Sequence, residues 1–160
     1  MIIDPQWLAI ARPLVGLHEI RGTEHSPEIL GMWRAIKRSG IQSDEVPWCA
    51  AFVGACLERA GIRSSRFESA ASYLKWGVRL DGPTHGCIVV FSREGGGHVG
   101  FVVGVDQTGK LLVLGGNQSD AVSVKAFPRK RVTGYRWPVD VYIPSVPLQI
   151  GSAETSASEA

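Results

Sequence analysis

The hydrophobic period changes once along this chain, near residue 86, and that switch restricts the fold more than any compositional figure does. Before it, apolar residues recur at helical spacing: Trp7, Ile10, Ala11 and Leu14 over 6–15, then Ile29, Leu30, Trp33 and Ile36 after Pro27, a residue suited to the first position of a helix. A third helix is predicted over 47–60, stopped by Gly61, and a short one over 69–76, ended by Gly77. After the switch, "CIVVFS", "HVGFVVGV", "KLLVLGGNQ", "AVSVKAF" and "RVTGYRW" are short β-branched and aromatic runs separated by Gly, Asp and Pro. Helices first and strands second predict an α+β domain, with N-terminal helices packed on one face of a C-terminal antiparallel meander.

At 160 residues, 44% hydrophobic and 20% charged, the chain has the makeup of one globular domain. A net charge of +2 supplies no global attraction to nucleic acid, so no such partner is expected. Locally, Lys125, Arg129, Lys130, Arg131 and Arg136 crowd into "KAFPRKRVTGYRW", either a solvated charged face or a surface for an anionic polymer. No apolar run approaches the roughly 18 residues of a membrane span, so no membrane insertion is expected. The opening "MIIDPQWLAIARPLVGL" has an acid, a proline and no basic region ahead of its apolar stretch. It makes a poor signal peptide, which points to synthesis in the cytoplasm with reduced cysteines. The small, polar "GSAETSASEA" reads as disordered, which sets a domain at 1–144 and a tail at 145–160.

The stretch "DEVPWCAAFVGAC" carries the chemistry. Val46 precedes a proline and is biased away from helix, Pro47 fits the first helical position, and Cys49 falls in the first turn. Free backbone N–H groups and the positive end of the helix dipole favour a thiolate there. The opposing reading is core packing, since Cys49, Val53, Cys56 and Ala60 form one small apolar stripe. Cys56 suits the core better, and about 10 Å of helix separates it from Cys49, beyond disulfide reach. A metal site is weakest. No CxxC, HxxH or HExxH spacing occurs, and His18, His25, His85 and His98 are scattered, so neither metal nor organic cofactor is expected.

A nucleophilic thiol needs a base and a group to orient that base. In "REGGGHVGFVVGVD", alternation puts Val99, Phe101, Val103 and Val105 on a core face, leaving His98 beside Gly100 and Gly104 on the other. The next strand follows a hairpin in "DQTG". An even-length turn brings Asn117 opposite His98 or diagonal to it on the same face, whereas an odd-length loop or a bulge would turn it away. A neutral amide can hold an imidazole, as in Cys-His-Asn sites. Three complementary residue types on separate elements favour the nucleophile reading of Cys49.

At this point the chain resembles the CHAP and NlpC/P60 branch of papain-like cysteine hydrolases, above all its small phage-type members. The resemblance rests on "WCAAFV" (Trp48–Val53), "GHVGFVVG" (Gly97–Gly104), "LGGNQSDAVSV" (Leu114–Val124) and "GYRWP" (Gly134–Pro138), in that order. It implies a papain-like α+β fold, with Cys49 as nucleophile, His98 as general base and Asn117 as third member. Many CHAP domains carry a glutamate two residues before that asparagine; here the position is Gly115. Relatives also commonly read "GD" where this chain has Gly86-Cys87, which makes Cys87 a buried strand residue. Glu19, in "GLHEIRGTEHSPEIL", either lines the cleft or plays a structural part. Trp48, Tyr73 and Trp76 either line a substrate groove or belong to the core. Gln42 or Ser43 is a candidate to assist backbone N–H groups in holding an oxyanion.

The same resemblance implies peptidoglycan as substrate. The bond cut would be the N-acetylmuramoyl–L-alanine amide or a peptide bond of the stem. The setting would be a monomeric phage or prophage endolysin, made in the host cytoplasm and acting on the wall in the periplasm after release. A secreted amidase effector and a non-catalytic wall-binding or phage structural module are the alternatives.

Overall fold

A computed structural model describes residues 2–20, 25–43, 47–93 and 96–156. Val46, whose pre-proline bias entered the reading of the cysteine helix, and residues 157–160 lie outside them. Helix α1 (Gln6–Ala11) is shorter than its apolar pattern, because Pro13 cannot donate to a helical ladder and Arg12–Leu14 tighten into a 3-10 turn. Helix α2 (Pro27–Ala35) starts as expected, with the Ser26 hydroxyl accepting from Ile29 N–H and Pro27 in the first turn. Helix α3 spans Cys49–Arg59. The segment expected as a short fourth helix is a 3-10 helix, Ala70–Lys75, capped by Ser69.

The strands are β1 (Val78–Leu80), β2 (Ile88–Arg93), β3 (Gly96–Val105), β4 (Leu111–Gly115), β5 (Ser123–Phe127) and β6 (Val132–Trp137). Their order in the sheet is β1-β6-β2-β3-β4-β5, antiparallel throughout. The meander holds from β2 to β5. Strand β6 then returns to the far side of β2 and pairs there with β1, a strand of three residues that is too short to show alternation. The helix-on-sheet α+β architecture stands, and it is compatible with a papain-like fold.

The β3–β4 hairpin contains both register faults that could have turned Asn117 away, and they cancel. Asp106 N–H donates to Lys110 O and Gly109, at φ +90°, donates to Asp106 O, so the loop has an odd length. A bulge between Val102 and Gly104 then shifts the ladder back by one residue, giving Val102↔Val113 and Phe101↔Leu114. That is the register of an even turn.

Helix α3 is the centre of the core. Cys49 through Leu57 are all buried, so the helix is enclosed on every side instead of showing one stripe. Phe52 meets Phe101 of β3 edge-on at 6.1 Å. Gly54 lets α2 approach, since a Cβ there would stand 2.5 Å from Ile36 Cγ2. The sheet curls strongly. Phe91 on β2 and Phe127 on β5 stack at 4.5 Å, although three strand spacings would separate them by about 14 Å in a flat sheet.

Where composition suggested disorder beyond 144, residues 149–156 run as an extended strap. Val105 N–H donates to Gln149 O, Gly151 N–H to Val105 O, Ala126 N–H to Glu154 O and Ser156 N–H to Ala126 O. The strap crosses Leu112 and closes the outer edge of β5.

Candidate active site

Cys49 is the first helical residue of α3. The cap position belongs to Trp48 (φ −116°, ψ 19°), so the helix opens two residues later than Pro47. Cys49 is 4% exposed and lines a cavity of about 370 Å³, together with Pro47, Ala70, Val90, Ser92 and Gly97. The N–H groups of the first turn have no intrahelical acceptor and are directed toward that end of the helix. Burial pushes the thiols of both Cys56 and Cys87 up to about 12.

Gly97 joins the cavity wall to His98, which is fully buried at the start of β3. Alternation turns Phe101 toward α3 and His98 toward Phe91 and Phe127. The imidazole lies nearly parallel to both rings, at 21° and 11°. The Arg131 guanidinium sits 5.5 Å over Phe127 and 5.8 Å over Phe91, and its Nε donates to Ser92 O.

Asn117 is buried in the loop that follows β4, in a left-handed conformation (φ +60°). Gly116 beside it packs so tightly that a Cβ would meet Phe52 Cβ at 2.6 Å and the Trp48 ring at 2.7 Å. The loop is thereby fastened to the start of α3. The residue that sequence reasoning missed is the next one. Gln118 is fully buried, and its Oε1 lies 3.0 Å from His98 Nε2.

The expected aromatic groove is not formed. Trp48 and Tyr73 are fully buried and have no free face for a substrate. Trp48 Nε1–H donates to Glu19 Oε1 at 2.8 Å, and Glu19 N–H donates to Asp120 O, so Glu19 ties the segment before α2 to the head of α3. Trp76 packs edge-on against Tyr73 and donates to Arg63 O, and it does not line the Cys49 cavity. Neither Gln42 nor Ser43 is among the cavity's lining residues. The basic run is largely used internally: Arg129 Nε donates to Gly109 O, Arg136 to Leu74 O and Tyr135 O, and Lys125 pairs with Glu154. Among the described residues, no three His, Cys, Asp or Glu side chains converge as metal ligands would. Among them too, no helix is long and apolar enough to cross a membrane.

A cysteine at the head of a buried helix, packed on a curled antiparallel sheet with a histidine near the start of a central strand, is compatible with the papain-like hydrolase class. The family model described as CHAP domain matches residues 41–117, from before the cysteine helix through Asn117, a match consistent with a CHAP-type hydrolase domain. CHAP domains are in general cysteine- and histidine-dependent amidohydrolases, with activity toward peptidoglycan. No curated protein matches the chain.

Proposed function

We propose that this protein hydrolyses an amide bond in the stem peptide of peptidoglycan, with Cys49 as nucleophile and His98 as general base. The observation that carries the reading is the position of Cys49, first in α3 and on the wall of a cavity that continues to Gly97, the neighbour of His98. The thiolate attacks the amide carbonyl, and the first-turn N–H groups of α3 hold the oxyanion. His98 protonates the leaving amine, then activates the water that releases the acyl-enzyme. The third place in the site falls to the loop holding Asn117 and Gln118. Ala70, Ala71 and Gly97 add small surfaces to a wall that also holds Leu74, Val90 and Phe91, a lining that suits the small alanyl residues of a stem peptide. Release from a phage-infected cell onto its wall is the setting that fits a chain of this type.

Digestion of purified peptidoglycan by the wild type and by Cys49→Ala, with mass spectrometry of the soluble products, tests the proposal. Fragments from the wild type alone support it, and their masses name the bond cut. Two inert preparations that still bind the wall would replace it with a binding module.

A further inference from the structure

We infer that Gln118, folded into the space left by Gly115, is the residue that positions His98 for proton transfer, and that it does so by fixing the imidazole as its Nε2–H tautomer. The inference rests on the catalytic reading of Cys49 and His98 given above.

The orientation of the Gln118 amide follows from its neighbours. Its nitrogen lies 2.9 Å from Ser123 O, 3.3 Å from Val113 O and 3.2 Å from Ser123 Oγ. Two of those atoms are carbonyl oxygens, which only accept, so the NH₂ group must be at that end. Oε1 therefore faces His98. An amide oxygen cannot donate, so the hydrogen of that 3.0 Å bond belongs to His98 Nε2. In the neutral ring the basic lone pair is then on Nδ1. That is the atom left to exchange a proton with the sulfur and the leaving amine.

Gly115 belongs to the same device. A Cβ at 115 would fall on Gln118 Oε1 and lie 3.3 Å from His98 Nε2, so a side chain there and the Gln118 amide exclude each other. The amide occupies the place where a residue at 115 would reach the histidine from its own strand. Phe91 and Phe127 restrain the tilt of the ring, while Gln118, pinned to Val113 on β4 and to Ser123 on β5, fixes its rotation in the plane. His98 is thus held by a neutral group. A carboxylate in the same place would add a charge beside the ring.

A long-range ¹H–¹⁵N correlation spectrum of the unmutated chain, recorded where His98 is neutral, is the direct test. The expected pattern is a protonated Nε2 and a bare Nδ1; a protonated Nδ1 overturns the inference. Gln118→Met keeps the length and removes the acceptor. It is expected to mix the tautomers and to lower kcat roughly tenfold to a hundredfold, with KM within about twofold. A folded Gln118→Met with unchanged tautomer and kcat overturns the inference as well. If that variant does not fold, the spectrum of the unmutated chain decides alone. The spectrum needs no turnover, so failure of the hydrolase reading shows separately, as wild-type protein that releases nothing from the wall.

Discussion

Burial separates the three cysteines chemically. Cys56 and Cys87 are fully enclosed, and at about 12 their thiols carry almost no thiolate at neutral pH, whereas Cys49 touches the cavity. Alkylation of the native protein followed by peptide mass spectrometry is expected to label Cys49 alone. Label on Cys87 before unfolding would contradict the packing of the segment that leads into β2. Trp48 makes the complementary case, a fully buried residue beside Cys49 whose indole N–H is taken by Glu19. Trp48→Phe removes the indole donor to Glu19 and is expected to cost about 1–2 kcal/mol in chemical denaturation, with KM changed less than about twofold. A large rise in KM at unchanged stability would return Trp48 to the substrate.

Helix α3 is the centre of the core, and Gly54 is where Ile36, at the end of α2, packs against it. In an exposed helix, Gly→Ala stabilises by about 1 kcal/mol. Here the new methyl would stand 2.5 Å from Ile36 Cγ2 and 3.2 Å from the Tyr73 hydroxyl, so the sign reverses. Gly54→Ala is expected to destabilise by about 1–3 kcal/mol in urea titration, and Ile36→Ala, which removes Cγ2, to cost less in that background than in the wild type; additive effects would contradict the contact. The apolar period made α1 and α2 legible in the sequence, and α3 and strands β2 to β6 were legible as apolar or β-branched runs bounded by Pro, Gly and Asp. Strand β1 has three residues, two of them exposed, and prints no such run. The Cys49 and His98 segments were legible through local grammar: a proline and a tryptophan before a helix, glycines around a strand histidine. Gln118 was not, because its role depends on a side chain folding back over its own loop. The one trace it left was an empty position at Gly115, which becomes meaningful only when the space above it is seen to be filled.

Across the whole molecule, polar ties outside the core hold the ends of elements to distant loops. The strap 149–156 covers Leu112 and the edge of β5, and a chain ending at Val146 is expected to melt lower and to self-associate in sedimentation through the opened edge. Asp4 accepts from Arg12, which lowers its carboxyl, and from His85 in the loop before β2. Glu58 at the end of α3 holds the loop that follows it. Burial pulls its carboxyl up, but hydrogen bonds from Arg66 and Ser64 outweigh that and hold it at about 2, below its ordinary 4.5. A carboxyl whose folded pKa is depressed stabilises the fold above its unfolded pKa, and that contribution is lost as pH falls toward the folded value. The Glu58 contribution is therefore complete at neutral pH and lost between about pH 4.5 and about pH 2. Glu58→Gln removes the titration together with the charge. Its urea midpoint is expected to lie below the wild type's at pH 7 and to fall less steeply on acidification, so that the two curves converge by about pH 2. Curves that stay parallel across that range would show that the Glu58–Arg66 pair contributes nothing to folding, and would leave the acid response to Asp4 and its partners.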